Sequence, residues 1–75
     1  MALSKCDGGN RAVVREIHGG SGTQRRLNRL GIHAGDSIRV LRGGFFGGQV
    51  LVEIHGVEIG ISRGVAEKVE VETTP

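Results

Sequence analysis

Tryptophan and tyrosine are absent from this 75-residue chain, which has one cysteine, one proline and two phenylalanines. A lone cysteine, Cys6, rules out an intramolecular disulfide framework. With a single proline, at the C-terminus, extended polyproline spacers are excluded. The missing tyrosine and tryptophan remove the usual base-stacking platform of single-strand nucleic-acid binders. No apolar run is long enough to span a bilayer, and no secretory leader pattern is present. What the chain has instead is glycine, 14 residues of it, mostly paired or at pattern breaks: Gly8-Gly9, Gly19-Gly20, Gly43-Gly44, Gly47-Gly48 and Gly56. Apolar stretches separate these pairs, so they punctuate short elements joined by tight turns and do not form a flexible linker. Residues 1–75 are read as one small domain, with a lead-in segment at 1–9 and a fraying tail at 73–75. A cytoplasmic, reducing setting is the expectation.

The apolar residues are mainly Val, Ile and Leu, a composition suited to strands. Strands are expected at Arg11–His18, Ser37–Leu41, Gln49–His55, Val57–Ile61 and Lys68–Glu72. The third has the clearest alternation, with Val50, Val52 and Ile54 inward and Leu51, Glu53 and His55 outward. His55-Gly56 is expected to be a tight turn. A helix is expected from about Thr23 to Leu30, capped by Ser21 or Thr23 and stopped by Gly31 at positive φ, with Ile32 completing a Schellman motif. So short a helix needs docking, for which Leu27, Leu30 and Ile32 are the candidates. A turn through Gly35 leads into the second strand, and Ser62–Ala66 is expected to be one helical turn capped by Ser62. Five short strands would leave edges unpaired in a flat sheet, so the expected fold is mainly β: a small five-stranded barrel with one short α-helix after the first strand and a helical turn before the last.

The net charge of +2 is unevenly spread. Residues 1–42 carry eight basic and three acidic side chains, whereas residues 43–75 carry two and five. The basic half suits an acidic protein surface, phosphate or nucleic acid. Within it, Arg25, Arg26 and Arg29 fall opposite the apolar side of the helix, where guanidinium forks can pair with carboxylates or phosphates. The segment GGFFGG places Phe45 and Phe46 side by side between glycine pairs. In an extended chain they point to opposite faces, which leaves at least one as an exposed anchor. The segment lacks the following Lys and Ser or Thr of a P-loop. Cys6, His18, His33 and His55 lie in four segments without ligand-pair spacing, so no metal site is assigned. No nucleophile has a base and an orienting group in sequence, so no catalytic residue and no cofactor are assigned.

The order LSKCDGGNRAVV, RRLNRLGIHAGD and GGQVLVEIHGVEIGISRGVAEKVEVE resembles the FeoA family over nearly the whole chain. Ala34 and Gln49 stand where that family often has proline, but the turn glycines Gly31, Gly35 and Gly56 are kept. The resemblance implies a barrel of the Src-homology-3 (SH3) type. It also implies a non-catalytic role in ferrous iron uptake, through contact with the cytosolic GTP-binding region of the ferrous iron transporter FeoB. Arg25, Arg26, Arg29, Phe45 and Phe46 are the candidate contact residues. The same domain type also closes some metal-dependent transcription repressors, an alternative of the accessory-domain class. A nucleic-acid-binding small barrel is a further alternative. Against it stand the acidic residues Glu53, Glu58, Glu70 and Glu72 on the later strands. Weak self-association through Leu41, Leu51 and the phenylalanine loop is also open, whereas direct membrane insertion is not expected.

Overall fold

The computed structural model describes residues 1–44 and 48–74. A 3₁₀ turn at Leu3–Lys5 precedes strand β1 (Arg11–Ile17), helix α1 (Gly20–Arg29), β2 (Ser37–Arg42), β3 (Val50–Ile54), β4 (Val57–Ile61), the short helix α2 (Arg63–Ala66) and β5 (Val69–Thr74). All strand pairings are antiparallel, in the order β4-β3-β2-β1-β5. This is the five-stranded SH3-like arrangement, with one helix after the first strand and a short one before the last. β4 and β5 end the strand order and do not pair with each other among the described residues, so no continuous ladder closes the barrel there. α2 connects these two strands.

One core lies inside the curled sheet. Ala12, Val14 and Ile17 of β1 face it, as do Ile38 and Val40 of β2, Val50, Val52 and Ile54 of β3, Ile61 of β4, and Val69 and Val71 of β5. Strict alternation from Val14 would put Ile17 outside. A bulge at Arg15, between the pairs Val14–Val71 and Glu16–Glu70, adds one residue and turns Ile17 inward. A second irregularity, at Leu41, lets Val40 face Val52 while Arg42 faces Leu51. Bulges of this kind bend a strand and sharpen its twist, as a small curled sheet requires.

The lead-in is part of the core: Leu3 and Cys6 are buried, and Ala2 forms a bridge with Glu70 on β5. β5 continues through Thr73 and Thr74, which pair with Ala12 and Arg11. The tail expected to fray is thus held by the ladder up to Thr74, and Pro75 lies outside the described residues. β1 ends at Ile17, although the His18 N–H still donates to the Lys68 carbonyl at 2.7 Å. His55 (φ 52°) and Gly56 (φ 78°) form the two-residue hairpin loop between Ile54 and Val57, with the left-handed geometry of a type I′ turn.

α1 departs from the sequence expectation at its start and in the role of Leu30. It begins at Gly20, and its N-cap is Gly19 in the left-handed region, with no side-chain cap. Neither Ser21 nor Thr23 is the cap, because both lie inside the helix. At the other end the expected stop is present: Ile32 N–H donates to the Leu27 carbonyl (2.9 Å), Gly31 N–H donates to the Asn28 carbonyl (3.0 Å), and Gly31 has φ 89°. This stop folds Ile32 back over Leu27, and both are buried. Leu30 is the C-cap and is left 44% exposed, so it does not dock the helix. Ile32, and not Leu30, joins Leu27 in the core.

Candidate functional site

α1 presents the site. Leu27 is its one fully buried residue, and this single anchor sets which way the helix faces. Arg25, Arg26 and Arg29 are all exposed. None takes part in an ion pair among the described residues, whereas Arg15 pairs with Glu72 (2.9 Å) and Arg63 lies near Glu67 (3.6 Å). Part of the basic pattern serves the helix itself, since Arg26 and Arg29 lie in the last turn, where cations complement the helix dipole. That role does not extend to Arg25. Together with Gly22 and Leu30, the three arginines line a shallow surface depression. Cationic forks with no internal partner are available to carboxylates or phosphates from outside.

Beside this ridge lies a cleft of about 160 Å³ lined by Arg26, Leu27, Leu30, Gly60, Ile61, Ser62 and Val65. It joins α1 to the end of β4 and the start of α2. The Ser62 side chain accepts a bond from Val65 N–H (3.4 Å), the cap expected for α2, and this holds Val65 at the cleft wall. Sequence reasoning placed Leu30 in the core and so missed this apolar lip next to the arginines. The available signal was the pair of apolar residues flanking Gly31. A Schellman stop buries the one after the glycine and leaves the one before it to find its own place.

The turn into β2 is built around Asp36. His33 N–H donates to the Asp36 carboxylate at 2.7 Å, and the His33 ring Nδ1 lies 3.2 Å from the same oxygen. Asp36 N–H donates to the His33 carbonyl, with Gly35 at φ 95°, which defines a type II turn with Ala34 and Gly35 at its centre. The backbone bond from His33, helped by the ring, holds the Asp36 carboxyl below its ordinary pKa. Gly31, Gly35 and Gly56 all have positive φ.

Other candidates are dispersed. Among the described residues no group of three His, Cys, Asp or Glu side chains converges on a point where an ion would sit. Cys6 is buried beside Met1, with its Sγ 3.7 Å from the Met1 sulfur. Burial raises the Cys6 thiol pKa, which disfavours the thiolate that nucleophilic chemistry needs. Leu41 and Leu51, read as exposed self-association residues, are half-buried. Phe45 and Phe46 fall outside the described residues. No helix is long and apolar enough to cross a membrane among the residues searched.

Comparison with known proteins gives consistent matches. The sequence profile of the FeoA domain matches residues 1–73. A Methanocaldococcus jannaschii protein designated Fe(2+) transport protein A is 36% identical over 64 residues, covering 85% of this chain and 76% of its own length. The crystal structure of an iron uptake regulatory protein (FeoA) superposes with a TM-score of 0.89 at 28% identity, over 99% of this chain and 96% of the other. The solution structure of the FeoA protein from Chlorobium tepidum gives a TM-score of 0.87 at 31% identity, over 100% and 71%.

Proposed function

This chain belongs to the FeoA domain family, and from that premise we propose that it acts in the cytoplasm, docking on the cytosolic GTP-binding region of a membrane ferrous iron transporter. Membership makes it a transport accessory protein and not an enzyme. The observation that carries the docking reading is the row of exposed arginines on α1, held outward by the single buried anchor Leu27 and free of internal ion pairs among the described residues.

In this reading Arg25, Arg26 and Arg29 meet carboxylates of the transporter. Exposed charges of one sign mainly speed encounter and fix orientation, and apolar contacts beside them lengthen the complex's lifetime. The cleft at Leu30 and Val65 offers such contacts. On sequence grounds Phe45 and Phe46 supply others. An effect on transport requires unequal affinity for two transporter states, because a partner that binds both equally shifts nothing.

The test is a titration of isotope-labelled protein with the cytosolic domain of the ferrous iron transporter from the same source, followed by amide chemical shifts. Shifts are expected at Arg25–Leu30, weakening as salt rises. The double reversal Arg25→Glu with Arg29→Glu should weaken binding about tenfold or more, mostly through association rate. Unchanged affinity in a folded double variant would remove the arginines from the interface. Absence of shifts at millimolar concentration would remove the cytosolic domain as the partner.

A further inference from the structure

Among the described residues, strand β4 has one bonded neighbour, β3. In its ladder with β3, Ile54 faces Val57, Val52 faces Ile59 and Val50 faces Ile61. The pair flanking a two-residue hairpin loop is hydrogen-bonded, and bonded pairs then alternate along the ladder. The N–H and C=O groups of Val57, Ile59 and Ile61 therefore turn to β3, and those of Glu58 and Gly60 turn outward. No loop or cap bond among the described residues reaches these two. The opposite end strand is better protected: Ala2 lies across from Glu70, and Val71 N–H donates to the Met1 carbonyl at 2.8 Å. β4 is free of bulges against β3 and contains neither proline nor lysine, devices that commonly blunt an edge.

We infer that β4 is a self-recognition edge, through which two copies of this chain pair antiparallel about a two-fold axis at Ile59. This register opposes all five strand residues: Ile59 to the partner's Ile59, Glu58 to the partner's Gly60, and Val57 to the partner's Ile61. The outward groups of Glu58 and Gly60 then form the bonded pairs. Centring on Glu58 instead would set two carboxylates directly opposite, which is destabilising. Centring on Gly60 would oppose only three of the five strand positions.

The ends of the edge are complementary in the same sense. Val57 is 57% exposed and Leu30 is 44% exposed; with Met1, they are the large hydrophobics left most open among the described residues. Leu30 sits on the cleft at the Ile61 end of β4, and Val57 stands at the other end. Antiparallel pairing carries each Val57 to the partner's cleft and each Glu58 towards the partner's Arg26. A symmetric contact makes both meetings twice. The inference rests on the β4 edge and does not need the transporter contact, but it uses the same cleft and Arg26, so a transporter docked there and a second copy would compete for them.

Sedimentation over a range from micromolar to millimolar, with the full chain and four sequences, tests it. The wild type should pass from monomer to dimer. Gly60→Lys sets an opposite charge against Glu58 twice per dimer and should tighten the dimer constant about 2- to 30-fold, and Gly60→Glu should weaken it to a similar degree. A side chain at Gly60 meets only the flexible end of Gln49, with Oε1 at 2.5 Å from the added carbon, so both variants keep the fold. Glu58→Pro removes an outward N–H without touching the β3 ladder, and should stay monomeric with a native circular dichroism spectrum. A monomeric mass for both the wild type and Gly60→Lys at millimolar concentration overturns the inference. So does a dimer whose constant ignores the charge at position 60.

Discussion

Truncating Leu27 to alanine asks how α1 is held. Leu27 is 1% exposed and is the helix's one fully buried residue. Leucine-to-alanine changes at such sites cost about 3–5 kcal/mol, against a total of roughly 4–11 kcal/mol for a chain of this length. The rest of the helix has little to offer. Ten residues, two of them glycine in the first turn, are marginal in water on their own. The loss should therefore fall on α1 before it reaches the sheet. The main-chain bond from Ile32 to the Leu27 carbonyl survives the substitution, so the effect isolates the side-chain anchor from the stop signal. In native-state hydrogen exchange of Leu27→Ala, the amides of Thr23–Leu30 should lose about 10²- to 10⁴-fold in protection, the equivalent of that energy. Amides in the β2–β3 ladder should lose much less. A drop in α1 below about fivefold would mean that something other than Leu27 holds the helix. An equal drop in helix and sheet would mean that the domain opens only as one unit.

Three smaller expectations follow from the turns and the buried thiol. Ala34 is the second residue of the type II turn closed by Asp36, where proline's fixed φ fits, so Ala34→Pro should raise stability by about 0.4–1 kcal/mol, visible as a higher Tm. The Asp36 pKa is lowered in the folded protein, so its contribution is present above the ordinary carboxylate value and is lost as pH falls through the lowered one. Asp36→Ala should lower Tm at neutral pH, and the two Tm curves should converge as the medium becomes acidic. Cys6 should resist alkylation in the native state at pH 8 and react at the rate of a free thiol in denaturant, as followed by mass spectrometry.

The parts of the fold that were legible in the chain are those fixed by local chemistry. Val50, Val52 and Ile54 alternate because one face of β3 is buried, and the structure buries all three. Gly31 and Ile32 announce the helix stop because a positive φ and an apolar C″ residue are local requirements. The helix start was not legible: a glycine cap leaves no side-chain signature, and Gly19 simply adopts φ 92°. Nor was the fate of Leu30, since helical spacing puts it beside Leu27 and only the chain reversal at Gly31 shows that Ile32 is the residue buried there. Ile17 faces inward because of a bulge at Arg15, which shows only in the register of β1 against β5. For the site, helical spacing was enough to gather the three arginines. The apolar cleft beside them depends on β4 and α2, more than thirty positions further along the chain, and no short-range pattern encodes that.

The pairing of β1 with β5 has a kinetic consequence. β2, β3 and β4 follow one another through short connections, but Val14 meets Val71 across 57 positions of chain. Bringing such distant segments together must be met in entropy before their bonds form, so contacts of this span arrive late and slow the reaction. As the chain is synthesised, β1 can pair with β2 on one edge, but its other edge waits for β5, which follows β3 and β4. The β1–β4 part of the sheet can then pair strand by strand as it is made, and only the ladder between β1 and β5 must await β5.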